Sequence, residues 1–174
     1  AAESRVTDIA GPDFPDGLEI IPLPGHSFDM IGLRTPDGTV FLADCLSSEA
    51  TLQKYPVAFV YDVAAYLDTL VKVEAFEAPL FVPSHAPATR DIAPLARLNR
   101  EKAGEIAAAL VEMCAAPMGF EGLLGRVFDR FGLAMNAEQY VLVGSTLRSY
   151  LAYLADAGRL AARFENNQLL WERV

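Results

Sequence analysis

Residues 18–46, LEIIPLPGHSFDMIGLRTPDGTVFLADCL, constrain the fold more than any other stretch of the chain. Residues 18–23 are a short apolar run halted by Pro24-Gly25, which places His26 and Ser27 on a loop. Residues 30–34 alternate as a strand does, Thr35-Pro36-Asp37-Gly38 is a turn signal, and residues 39–43 form a second β-rich run. Asp44 falls where that run ends. A histidine and an aspartate at strand ends project beyond a rigid sheet and can converge on one point, as metal-binding hydrolase sites require.

The chain has only two histidines in 174 residues. The second, His85, repeats the setting of the first: Phe81-Val82-Pro83-Ser84-His85 parallels Pro22-Leu23-Pro24-Gly25-His26. A lone histidine beside a strand usually packs or points to solvent. Two in matching contexts, with an aspartate at a third strand end, favour a shared site at His26, Asp44 and His85.

These residues resemble the metallo-β-lactamase superfamily of hydrolases. Pro24-Gly25-His26-Ser27 is similar to the family's third motif, whose histidine binds one metal. Leu42-Ala43-Asp44-Cys45-Leu46 is similar to the fourth, whose aspartate bridges two metals, and Pro83-Ser84-His85-Ala86-Pro87 to the fifth, whose histidine binds the second. Two positions depart from the pattern: Ala43 stands where glycine is usual, and Ser84-His85-Ala86 replaces Gly-His-Gly. The family's second motif, His-x-His-x-Asp-His, lies upstream of the third, and no histidine precedes His26.

The resemblance implies an α/β fold: the C-terminal half of an αββα metallo-β-lactamase sandwich over residues 1–90, followed by a small, mostly helical, winged-helix-like domain over 91–174. It implies a fragment of a metal-dependent hydrolase, inactive alone, with His26, Asp44 and His85 as metal ligands. None of the three is a nucleophile, and no catalytic or substrate-binding residue is assigned. Zn²⁺ is the implied cofactor, two ions in the complete protein, with iron or manganese also suited to a mixed N/O set. In the complete family site a water activated by the metals attacks an ester, thioester, lactone or phosphodiester. The alternative is a non-catalytic interaction or dimerisation module that retains the half-fold. The reading frame upstream of Ala1 separates them: a His-x-His-x-Asp-His motif there favours the hydrolase, an immediate start codon the module.

Elsewhere the pattern is mostly structural. Residues 1–17 read as a loop with a turn at Pro15-Asp16-Gly17, and 47–61 as a loop with one short helical turn. Asp62 is an N-cap before Val63, Tyr66, Leu67, Leu70 and Val73 at helical spacing. A strand over 78–83 then delivers His85, so the strand–helix–strand unit is a crossover between parallel strands. From Ile92 a long helix carries Leu95, Leu98, Ala103, Ile106, Leu110 and Met113 on one face and ends near Pro117. A helix over 120–131, another from Asn136 to a stop at Gly158, and a hairpin about Glu165-Asn166-Asn167 complete the winged-helix-like pattern.

Charge argues against the DNA reading that a winged helix invites. The net charge is −9, and residues 99–174 hold eight basic against nine acidic side chains. A duplex reader needs a basic face; Arg148 on the candidate recognition helix is accompanied by Glu138 and Asp156. The helical part is therefore expected to pack, to oligomerise and to border a small-molecule cleft. Tyr140, Tyr150, Tyr153 and Trp171 fall at core spacing. Arg90 and Arg97, near His85, are candidates for an anionic substrate but more often such residues are solvated or salt-bridged. Cys45 and Cys114 form no metal or disulfide pattern, which suits a cytoplasmic setting. No apolar run reaches the ~20 residues of a membrane span, and no membrane partner is expected. The expected partners are a small-molecule substrate and the missing N-terminal half or another copy of the chain, as in a homo-oligomer.

Overall fold

The computed structural model describes Asp8, Ile9, Gly11 and residues 14–174. The loop expected over residues 1–17 thus lies largely outside the described residues, although Gly17 does occupy a turn at φ 80°. The first half of the chain builds a sheet from β1 (Glu19–Pro22), β2 (Ile31–Arg34), β3 (Val40–Ser47) and β4 (Phe81–His85), in that spatial order. β1, β2 and β3 are antiparallel neighbours, and β3–β4 is parallel, as the crossover reading requires.

Between β3 and β4 come α1 (Glu49–Lys54) and α2 (Val63–Glu74). α1 takes more of the expected loop than a single turn, because Ser48 caps it by accepting the Thr51 amide. Asp62 caps α2 through the Ala65 amide, and Val63, Tyr66, Leu70 and Val73 are buried along one face. α3 (Ala93–Met113) follows, then the two-residue strand β5 (Met118–Gly119), α4 (Phe120–Phe131), α5 (Ala137–Asp156) and the hairpin β6 (Leu160–Glu165)–β7 (Gln168–Arg173). Asn136 caps α5, and Gly158 lies in the left-handed region just beyond it.

Three local readings change. The hairpin turn is the pair Asn166-Asn167, both at positive φ (50° and 62°), with Glu165 already paired to Gln168. This is the backbone a two-residue I′ turn demands. β5 is too short to leave a sequence signal and exists because β7 pairs it, giving the order β5-β7-β6. The buried stripe of α3 is centred on Ala96, Asn99, Ala103, Ile106 and Leu110. Leu98 lies outside it, on the wall of a groove facing α1 and α4.

The core is one cluster running from Ile21 and Leu23 through Leu70 and Phe81 to Leu124, Tyr150 and Leu160, so both halves of the chain share it. The sheet presents Ile21, Val40, Leu42 and Phe81 to this core. Its other face carries apolar residues too: Leu33, Phe41 and Val82 are cross-strand neighbours, and Phe41 is 42% exposed. Strands that are apolar on both faces belong to sheets covered on both sides; here, among the described residues, the groove on this face is lined by residues of β2, β3 and β4 alone.

Candidate metal and substrate site

Each candidate ligand is set in place by backbone contacts. The His26 loop folds back on α2: the Thr69 hydroxyl donates to the Pro24 carbonyl at 2.7 Å. The Tyr61 and Asp62 amides both donate to the Gly25 carbonyl at 2.9 Å. Gly25 has φ 127°, and a Cβ there would stand 2.3 Å from Tyr66 Cα. Only glycine lets the loop approach so closely. The His26 ring meets Phe59 edge-on, with centroids 5.4 Å apart.

Asp44 is not at the end of its strand, as expected, but within it. β3 continues to Ser47, and its register against β4 shifts on either side of Ala43. Ala43 takes φ 46°, left-handed backbone for a residue with a Cβ. A bulge of this kind bends a strand and re-aims its side chains, and the Asp44 side chain next to it is partly exposed. His85, the last residue of β4, is registered opposite Ser47. Its carbonyl accepts from the Ser48 amide at 2.9 Å and the Thr51 hydroxyl at 3.2 Å.

The result brings the three residues together. Asp44 Oδ2 lies 3.9 Å from His26 Nε2, and Asp44 Oδ1 lies 3.5 Å from His85 Nε2. All three side chains are partly solvent-exposed. Among the described residues, no group of three or more His, Cys, Asp or Glu side chains is drawn into ready metal-holding geometry. The donor set nevertheless fits a divalent ion chemically. Two ligand atoms on one tetrahedral Zn²⁺ at ~2.0–2.2 Å stand roughly 3.3–3.6 Å apart. The His85–Asp44 separation of 3.5 Å falls in that span, and the His26–Asp44 separation of 3.9 Å exceeds it by a few tenths.

The fold can be matched to known structures. The chain superposes on a β-lactamase domain protein from Burkholderia ambifaria with a TM-score of 0.73 at 19% identity, over 99% of this chain and 52% of that one. It superposes on a metallo-β-lactamase family protein from Thermus thermophilus with a TM-score of 0.66 at 16% identity, over 90% and 49%. The fold is part of a metallo-β-lactamase fold. The chain spans about half the length of these metallo-β-lactamase neighbours, and the Burkholderia match extends through its helical part as well. No protein-family profile matches the sequence. No curated protein matches it either.

Around the three residues lies a cavity of about 250 Å³, which His26, Asp44 and His85 line together with Tyr55, Val57 and Phe59. Leu133, Gln139 and Leu142 close it from the helical part of the chain. Neither Arg90 nor Arg97 lines it; Arg97 is held by Glu74 at 2.9 Å. Cys45, adjoining Asp44, is fully buried, and that burial, with the Asp44 charge as a smaller cause, pushes its thiol up to about 12. It faces the core and not the cavity. Of the four aromatic residues expected in the core, Tyr150 is buried, but Tyr140 is 38% exposed and donates its hydroxyl to Glu121.

The sequence reading missed Asn99. It is 2% exposed, and its Oδ1 accepts the Ser47 amide at 3.0 Å while its Nδ2 donates to the Ser47 and Leu95 carbonyls. Its signal was present: an amide side chain between Ala96 and Ala103, three and four residues away on a helix face, is a polar residue where the core should be.

Proposed function

We propose that this chain is the C-terminal portion of a metal-dependent hydrolase of the metallo-β-lactamase superfamily. In this reading His26, Asp44 and His85 are metal ligands, and α3–α5 with the β6–β7 hairpin form a winged-helix-like domain bordering the cleft. The observation that carries it is the arrangement at Asp44. One carboxylate oxygen faces each histidine, at 3.9 and 3.5 Å, so Asp44 would hold a divalent ion together with either imidazole. Such an ion would supply Lewis acidity for hydrolysis of an ester, thioester, lactone or phosphodiester.

The chain's own residues hold and orient. Phe59 restrains the His26 ring, and α1 anchors the backbone of His85 through Ser48 and Thr51. The Ala43 bulge aims Asp44 between the two imidazoles. Three protein ligands shared between two ions are few, and this chain alone is expected to bind metal weakly and to turn over no substrate.

The test is a Zn²⁺ titration of the chain followed by NMR of the imidazole rings. Under this reading both histidine rings respond to Zn²⁺, and Asp44→Ala weakens both responses. A ring that does not respond, or responses unchanged in Asp44→Ala, would overturn it. The open sheet face at Leu33, Phe41 and Val82 favours a second reading, a half-fold kept as an interaction module. That reading expects association through the sheet and no joint zinc response.

A further inference from the structure

Asn99 is a buried polar side chain on the apolar stripe of α3, between Ala96 and Ala103. All of its hydrogen-bonding capacity is used. Oδ1 accepts from the Ser47 amide at 3.0 Å and from the Tyr66 hydroxyl at 3.4 Å. Nδ2 donates to the Ser47 carbonyl at 2.8 Å and to the Leu95 carbonyl at 2.9 Å. Two acceptor sites and two donor hydrogens thus meet their partners, which fixes the orientation of the amide. An apolar side chain would suit the helix stripe at no desolvation cost. What the amide adds is a hold on one backbone residue of a distant strand.

That residue lies beside the candidate ligands. Ser47 ends β3, three residues beyond Asp44, and is registered opposite His85 across the parallel β3–β4 pair. The pair is irregular, with register shifts on both sides of Ala43, so its ladder alone does not define the spacing of the two strand ends. By bonding both the amide and the carbonyl of Ser47, Asn99 supplies what a paired strand residue supplies elsewhere in a sheet. The adjoining Ser48 amide donates to the His85 carbonyl at 2.9 Å. The Ser48 side chain caps α1, whose Thr51 hydroxyl reaches the same carbonyl at 3.2 Å. Through the Tyr66 hydroxyl, Asn99 is also tied to the α2 residue against which Gly25 packs, one residue before His26.

We propose that Asn99 is a positioning residue for the His26–Asp44–His85 site. From α3 it holds the end of β3, and with it the placement of Asp44 relative to His85. The proposal rests on the hydrolase reading for the identity of the ligands. It goes beyond that reading in making the long helix after His85 part of the support of the site.

Two measurements test it. The first uses the native chain in EDTA, followed by native-state amide hydrogen exchange. The Ser47 amide, bonded to Asn99, and the Ser48 amide, bonded to the His85 carbonyl, are expected to exchange through one shared opening with equal protection. Ser48 exchanging much faster than Ser47 shows that the His85 contact opens while Asn99 keeps its hold, and overturns the proposal. The second compares Zn²⁺ affinity by calorimetry in Asn99→Ala and in Leu110→Ala, a control that opens a cavity in the buried stripe of the same helix. Removing a group that orients metal ligands costs ~10–100-fold in affinity, and Asn99→Ala is expected to weaken binding by about tenfold or more. Leu110→Ala is expected to leave it unchanged; equal affinities in the two variants overturn the proposal. Should Asn99→Ala not fold, the native chain replaces it. Zn²⁺ is then expected to slow exchange of the Ser47 amide several-fold and to leave the Arg173 amide, bonded to the Cys114 carbonyl, unchanged. No slowing at Ser47 overturns the proposal. A native chain that takes up no Zn²⁺ fails the hydrolase reading, and the metal-free exchange then decides the role of Asn99 by itself.

Discussion

Asn99 on α3 grips the backbone of Ser47 at both its amide and its carbonyl, at 3.0 and 2.8 Å. Three residues beyond Asp44, this closes the bulged end of β3 against the long helix, where the strand's own ladder has lost register. The Tyr66 hydroxyl also lies 3.4 Å from Asn99 Oδ1, tying α2 to the same point. Replacing Asn99 by Ala leaves a part-buried amide and carbonyl without partners. The expected cost is about 2–3 kcal/mol, read as a lower urea midpoint with unchanged slope.

The two backbone positions beside the candidate ligands respond in opposite directions. Gly25→Ala forces a Cβ into Tyr66 at φ 127° and should destabilise by about 2 kcal/mol or more. Ala43→Gly removes a Cβ from left-handed backbone at φ 46° and should stabilise by about 0.5–1 kcal/mol. Thermal and urea unfolding of the two variants check the signs.

Alkaline pH should unfold the protein through its buried acids. Burial raises the Cys45 thiol from 9.0 to about 12, and burial likewise raises the Tyr66 and Tyr150 hydroxyls. The neutral form is therefore favoured by folding. Its stabilising effect is complete below the unfolded-state value and is lost as pH rises from about 9 toward 12. Urea midpoints are expected to fall across that window, less steeply in Cys45→Ala. At pH 8 Cys45 should react with a thiol reagent only after unfolding.

The open sheet face should make the chain associate. Phe41 is 42% exposed beside Leu33 and Val82, an apolar patch on a two-sided sheet. Sedimentation is expected to show self-association at micromolar concentration, reduced in Phe41→Lys. A strictly monomeric chain would remove the case for an interacting face.

DNA binding is not expected from the helical part. Arg148, the basic residue on α5, is occupied by the Phe120 ring and the Gly144 carbonyl and is not presented to a phosphate. A mobility-shift titration with mixed-sequence duplex at low salt should show no complex at micromolar protein.

What the sequence by itself determined is what neighbours within a few residues decide. Asp62 and Asn136 cap their helices, Gly158 follows the end of α5, and the Pro24-Gly25-His26 loop follows a short strand. These signals act through local dihedral preferences and hydrogen bonds, so they are legible without the fold. The candidate ligands were legible for the same reason, since each sits in a local motif. Tertiary structure alone decided the rest. Asp44 lies inside β3 because the register shift that exposes it exists only once β3 pairs with β4. β5 exists because β7 offers it a partner. Asn99 reaches Ser47 across 52 residues of sequence, and the cavity beside Asp44 is closed by Leu142 from a helix formed much later in the chain. Such relations depend on how apolar faces stack in a shared core, and periodicity tells which face of an element is apolar without telling which element it will meet.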